Sequence, residues 1–267
     1  MILIGELLNS TRRRVREAID ARDAAFVQDL ARRQAEAGVA YIDVNTGALI
    51  DRELPAMEWL IETVRAATDR PLAIDSPSPE VLRRGLELAG PGTLVNSISA
   101  ERARLEAVLP LLIEHQAPVI ALGMDDDGIP DRAARGFDVL ERLVETLEHE
   151  GVLRAHIFAD PLVRPVGANT AVTGEVLEVI GRLHLAYPDI HISGGVSNVS
   201  HGLPCRRLLN RTFLAMGMTR GLDAAIVDPL DERLMSEIAA AALLLGRDEY
   251  AMNYIGLFRA GRLEEKP

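Results

Sequence analysis

Lysine is almost missing from this sequence: 28 of its 29 basic residues are arginine, and the one lysine, Lys266, stands next to the C-terminus. A Schiff-base aldolase, a pyridoxal enzyme or a P-loop enzyme needs a lysine amine held inside the protein, so those classes are set aside. Cysteine is as scarce. Cys205 is alone, which excludes an intrachain disulfide and a Cys-rich zinc or iron–sulfur centre and fits a reducing cytoplasm. The longest apolar run, residues 238–245, is too short to span a bilayer. The start of the chain has no basic n-region. Its apolar run carries Glu6 and leads into Thr11-Arg12-Arg13-Arg14, which predicts a first strand rather than a secretory signal. Bases are also outnumbered, 29 to 40 acids for a net charge of -11, which disfavours nucleic acid or an anionic membrane as partner. Small molecules or another protein remain.

What is present is ample apolar content, 48% of 267 residues, in a regular alternation. Short β-branched runs at 1–7, 40–45, 72–75, 93–97, 118–123, 155–160, 190–194 and 222–228 are each followed by a helical pattern. The helices are expected near 24–37, 55–67, 79–89, 101–115, 135–150, 173–187, 204–218 and 231–245, several opening on Pro or an acid. Eight βα units without a linker predict an α/β fold, a (β/α)8 TIM barrel forming a single domain over 1–267, with a doubly wound open sheet as the alternative. After Arg247, the spacing of Tyr250, Tyr254 and Phe258 predicts a short last helix packed on the body, then a frayed end.

In such barrels the active site lies at the C-terminal strand ends. Here those ends are polar: Glu6 and Asn9, Asp43 and Asn45, Asp75, Asn96, Asp125, Asp160, Ser197 and Asn198, and Asp228. Taken singly, each is an ordinary helix cap. Eight together point to a ligand. No two histidines share a strand end, which speaks against a transition-metal hydrolase, and no protein-bound metal is expected. The Asp125-Asp126-Asp127-Gly128 run has Gly136 where a calcium loop needs Glu and reads as a solvated lid. Gly194 and Gly195 stand where barrels often bind phosphate, but Asp228 and Asp231 would repel it. These two glycines and the polar stretch Ser197-Asn198-Val199-Ser200-His201 before Pro204 form a strand, loop and helix, with uncharged donors and acceptors suited to a neutral ligand. Carboxylates and amides together read a planar, nitrogen-rich heterocycle with several N–H donors.

The ordered set Ile4-Gly5-Glu6 with Asn9, Asp43-Val44-Asn45, Ile74-Asp75-Ser76, Val95-Asn96-Ser97, Asp160-Pro161-Leu162, Gly195-Val196-Ser197-Asn198-Val199-Ser200 and Leu209-Asn210-Arg211-Thr212-Phe213 spans nearly the whole chain. It resembles the pterin-binding barrels, and most closely the methyltetrahydrofolate:corrinoid protein methyltransferases. The resemblance implies that Asp75, Asn96 and Asp160 hold the pterin ring, that Asn198 bonds to the nitrogen carrying the methyl group, and that Arg206 contacts the pterin. Glu6, Asn9, Asp43, Asn45, Gly195 and Ser197 complete the expected binding set. It further implies methyltetrahydrofolate and tetrahydrofolate as substrates, cobalamin brought by a transiently bound corrinoid protein, and a homodimer, with residues 243–245, Tyr254, Ile255 and Phe258 as candidate contacts. Dihydropteroate synthase, on the same fold, needs a lysine near strand seven, where this chain has Ser197-Asn198-Val199-Ser200. Such an activity, or folate binding without catalysis, is the alternative.

Overall fold

A strand covered on both faces reads as a nearly unbroken apolar run, and the β-branched segments of this chain have that character. In the computed structural model, which describes residues 1–263, they form β1 (Ile2–Asn9), β2 (Tyr41–Asn45), β3 (Leu72–Asp75), β4 (Leu94–Ala100), β5 (Val119–Asp125), β6 (Ile157–Asp160), β7 (His191–Ile192) and β8 (Ala224–Val227). All pair in parallel in the order β7-β6-β5-β4-β3-β2-β1-β8. The ring closes where Gly195 bridges Ile226 and the Ile226 N–H donates to Gly194 O at 3.0 Å. The fold is the expected (β/α)8 barrel.

Around it run α1 (Arg13–Asp20), α2 (Ala24–Ala37), α3 (Glu53–Arg65), α4 (Pro79–Ala89), α5 (Arg102–His115), α6 (Ala133–His149), α7 (Val172–Ala186), α8 (Arg206–Arg220), α9 (Glu232–Leu244) and α10 (Met252–Arg259). Local chemistry sets several ends. The carboxylates of Asp23 and Asp231 accept from the N–H groups of Phe26 and Leu234 to start α2 and α9. Gly38 and Gly221, at φ +96° and +115°, end α2 and α8.

Three expectations need correction. Helix α1 was not foreseen; Val15, Ala18 and Ile19 give it a buried stripe one turn long behind a run of arginines. Helix α8 begins at Arg206 rather than 204, because Cys205 at φ +51° breaks the chain's direction between Pro204 and the helix. Strand β7 is two residues long, since from Ser193 the chain leaves the ladder for the polar loop. Helix α10 is the expected short last helix, packed on the body against α9 with no residue of its own buried. The expected frayed end and Lys266 lie outside the described residues. Among those residues no helix is long and apolar enough to cross a membrane.

One core lies between sheet and helices, and a second fills the lower barrel: Ile4, Ala73, Leu94, Ile120, Phe158 and Ala224, joined by Tyr41, Leu122 and Ile226. Side chains alternate along a strand, so the residue two positions beyond an inward-facing one also faces inward. Two steps past Ile4, Tyr41, Ala73, Leu94, Phe158 and Ile226 come Glu6, Asp43, Asp75, Asn96, Asp160 and Asp228. An apolar plug therefore carries a polar layer directly above it. In β1 the pairing with β2 runs Gly5 to Ile42 and then Leu8 to Val44, one residue extra. This bulge flips the alternation, so that Glu6 and Asn9 both reach the cavity above the layer, and the Leu7 N–H it leaves out of the ladder donates to Gln34 Oε1 at 3.2 Å.

Candidate active site

The polar layer floors an open cavity of about 780 Å3, lined by Glu6, Asn9, Asp43, Asp75 and Asn96 on one side and Gly195, Ser197, Asn198 and Arg206 on the other. Nine of the eleven expected site residues meet there. Asn45 and Asp160 do not line it: Asn45 hydrogen-bonds to Asp75, and Asp160, 5% exposed, closes β6 within the same layer.

Burial governs the charges. Asp43, an almost fully buried member of the floor, is held well above the ordinary carboxylate range by burial and by the neighbouring Asp75, although the Asn96 side-chain N–H donates to its Oδ1 at 3.0 Å. Asp75 is pushed up to about 6 by burial, partly offset by Asn45 and by the positive charge of Arg104. Asp160 is pushed up to about 7, with burial opposed by the Leu162 N–H, which donates to its Oδ1 at 2.8 Å. Glu6 is raised by burial despite its ion pair with Arg12 at 2.9 Å and a 3.0 Å hydrogen bond from Ser197 Oγ. Two carboxyls, Asp75 and Asp160, are thus poised to take up or give up a proton near neutrality, an arrangement suited to a ligand with N–H donors.

The wall from Gly195 to Arg206 is shaped by close approach. Neither Gly194 nor Gly195 adopts a positive φ, so the conformational freedom expected of them is not what is used. A Cβ on Gly195 would lie 2.8 Å from Asn198 Nδ2, and the missing side chain is what leaves room for that amide. Arg206 braces the loop, donating from Nη2 to Ser197 O at 2.7 Å and from Nε to Ser200 Oγ at 3.1 Å.

Arg12 and Arg104 escaped sequence reasoning. Arg104 on α5 donates to Ser97 O at 2.9 Å from Nε, to Ser76 O at 2.9 Å from Nη2 and to Pro77 O at 2.5 Å from Nη1, tying the turn after β3 to the irregular middle of β4, where the Asn96–Ser97 peptide is cis. One arginine among 28, in mid-helix position, carries no sequence mark of that role. Asp125 is the opposite case. It is no solvated lid residue: Arg135 at 2.7 Å and Arg142 at 3.1 Å bind its two oxygens, and the exposed acids of the run are Asp126 and Asp127. Among the described residues no cluster of three or more His, Cys, Asp or Glu could hold a metal ion.

A closed barrel whose mouth gathers carboxylates, amides and one braced polar loop defines a barrel of the pterin-binding class. The family described as pterin binding enzyme matches residues 5–228. The chain is 36% identical over 266 residues, 98% of either protein, to the methylcorrinoid:tetrahydrofolate methyltransferase of Eubacterium limosum. It is 29% identical over 240 residues to the methionine synthase of Mycobacterium tuberculosis, matching 85% of this chain but 20% of that protein. The dihydropteroate synthase of Xanthomonas albilineans, solved with 7,8-dihydropteroate, superimposes with a TM-score of 0.68 over 93% of this chain and 94% of that one, at 17% identity, a likeness of fold alone. The chain belongs to the pterin-binding enzymes, and within them to the family of methyltetrahydrofolate:corrinoid methyltransferases.

Proposed function

We propose that this protein moves a methyl group between methyltetrahydrofolate and the cobalt(I) of a corrinoid held by a separate protein. The observation that carries the reading is the meeting of Asn198 with Asp75 and Asn96 on one cavity, above a carboxyl layer whose protons are loosely held near neutrality. Asp75, Asn96 and Asp160 take the amino-pyrimidinone edge of the pterin, Asp43 and Asn45 orient them, and Glu6, Asn9, Ser197, Gly195 and Arg206 shape the wall. Asn198 faces the nitrogen that carries the methyl group.

The C–N bond breaks with its electron pair left on nitrogen, which must gain a proton or a strong hydrogen bond as it does so, while the cobalt electron pair forms the new Co–C bond. An amide is no acid at neutral pH, so the Asn198 amide strengthens its bond in the transition state and the proton comes through water from the carboxyl layer. Run backwards, the same groups receive the proton that nitrogen loses. Mixing the protein with methyltetrahydrofolate and cob(I)alamin is expected to replace the cobalt(I) absorbance with that of methylcobalamin. Tight folate binding with no transfer, to free cobalamin or to a corrinoid protein, would support a non-catalytic binder instead.

The corrinoid protein is a transient partner, because each turnover requires its release. The lone exposed thiol, Cys205, suits a reducing cytoplasm. The chain pairs with a second copy through the apolar end of α9 and α10, where Leu244 is 87% and Phe258 64% exposed, with Ile255 and Leu245 beside them. Light scattering at micromolar concentration is expected to give the mass of a dimer, and Phe258→Glu that of a monomer; a monomer for the unaltered chain sinks this part.

A further inference from the structure

The cavity over the carboxyl layer shares Arg206, Arg207 and Asp231 with a second one of about 690 Å3 between the starts of α8 and α9. The charge reverses between them. Glu6, Asp43, Asp75 and Asp228 outnumber Arg12 in the part of the first that is not shared, whereas four arginines, Arg206, Arg207, Arg211 and Arg233, line the second against Asp231 and Glu232. In a chain of net charge -11 this is a local positive excess. Arg211 is committed to acids, lying 3.2 Å from Glu237 and 4.0 Å from Asp231. Arg206 donates to two neutral oxygens, so those bonds leave its charge uncompensated. Arg207 is 75% exposed, and its contact with Asp231 is loose, at 3.7 Å.

We propose that this second cavity is a subsite for the anionic glutamate tail of the folate, with Arg207 as its principal contact and Arg206 at the junction. The inference rests on reading the first cavity as the pterin site. A pterin seated on the carboxyl layer must send the rest of the molecule out through the mouth. Its tail carboxylates, repelled by the layer below, are drawn to the adjoining surface, where guanidinium groups can receive them in pairs of N–H bonds. A chain of γ-linked glutamates offers several such carboxylates, so the subsite favours polyglutamylated over monoglutamylated substrate.

Calorimetry with three ligands tests this: 6-methyltetrahydropterin, which has no tail, tetrahydrofolate and its triglutamyl form. The unaltered protein is expected to bind the triglutamyl form about tenfold tighter than the monoglutamyl form, an advantage that shrinks as salt is raised. Arg207→Glu should bring that ratio to about one and Arg207→Lys should restore part of it, with the affinity for 6-methyltetrahydropterin unchanged in both. A ratio that survives Arg207→Glu, or equal weakening of tailed and tailless ligands, overturns the subsite. So does a variant that keeps all folate affinities but slows transfer to the corrinoid protein, since Arg207 would then face that partner. Failure of the unaltered protein to bind any of the three ligands removes the pterin reading itself.

Discussion

Asn198→Ala is expected to slow methyl transfer by about 10²–10³-fold, the usual effect of losing one transition-state hydrogen-bond donor, while tetrahydrofolate affinity changes far less. The amide sits where Gly195 leaves room for it, on a loop braced by Arg206, so its removal should not disturb the carboxyl layer. A group whose bond strengthens only as the C–N bond breaks lowers the turnover number and kcat/KM together. Single-turnover kinetics beside calorimetry separates the two quantities. If Asn198→Ala lost binding but kept its chemical rate, the amide would be a ground-state contact and the assignment would fail.

Asp160→Asn should have the opposite profile. Asp160 is buried and its carboxyl is pushed up to about 7, so the folded protein holds its proton across a pH range in which the unfolded chain has released it. The sign follows from this. A carboxyl raised in the folded state weakens folding progressively as pH climbs from the ordinary carboxylate value through 7, and fully above it. At pH 8 that penalty is on the order of 4 kcal/mol. Asparagine removes it and still accepts the Leu162 N–H, at the expense of a buried NH2 worth about 1–3 kcal/mol. The unliganded variant is therefore expected to melt roughly 3–8 °C higher at pH 8 and no higher at pH 5, where only about a third of the penalty has accrued and the cost of the buried amide offsets it. Its affinity for tetrahydrofolate should fall by about 10²-fold or more, because an ionised carboxylate accepting two N–H bonds is lost. In the unaltered protein the same affinity should rise with pH toward 7 as the carboxylate forms. Thermal melts and calorimetry across pH 5–8 check all three; unchanged affinity in Asp160→Asn would remove this residue from the pterin contacts.

How much of this was legible in the sequence depended on whether the signal was local. Strand and helix periods, the caps at Asp23 and Asp231, and the polar strand ends are each written within a few residues, so the barrel and most of its rim could be read directly. What could not be read depends on distant partners. The bulge that turns both Glu6 and Asn9 to the cavity shows only in the pairing of β1 with β2. Arg104 binds three carbonyls, two in the turn after β3 and one within β4, and nothing beside it in the chain marks it for that task. Asp125 looked like a free acid because Arg135 and Arg142 reach it from helix α6. Helix α1 was hidden because a buried stripe of three residues is shorter than the window in which periodicity speaks.

The apolar plug beneath the carboxyl layer acts as an insulator. Ile4, Leu94, Ile120 and Phe158 fill the lower barrel, and Tyr41 and His191 pack against Phe158 below. The buried side chains of that plug, Ile4, Ala73, Leu94, Ile120, Phe158 and Ala224, carry no polar group. On the proposed reading, a corrinoid domain seated on the mouth covers the remaining exit, and the docked complex becomes a closed vessel for hydrogen ions. The proton that nitrogen gains or yields is then drawn from, or lodged in, a store already inside, and the exchange with bulk water falls in the intervals between dockings.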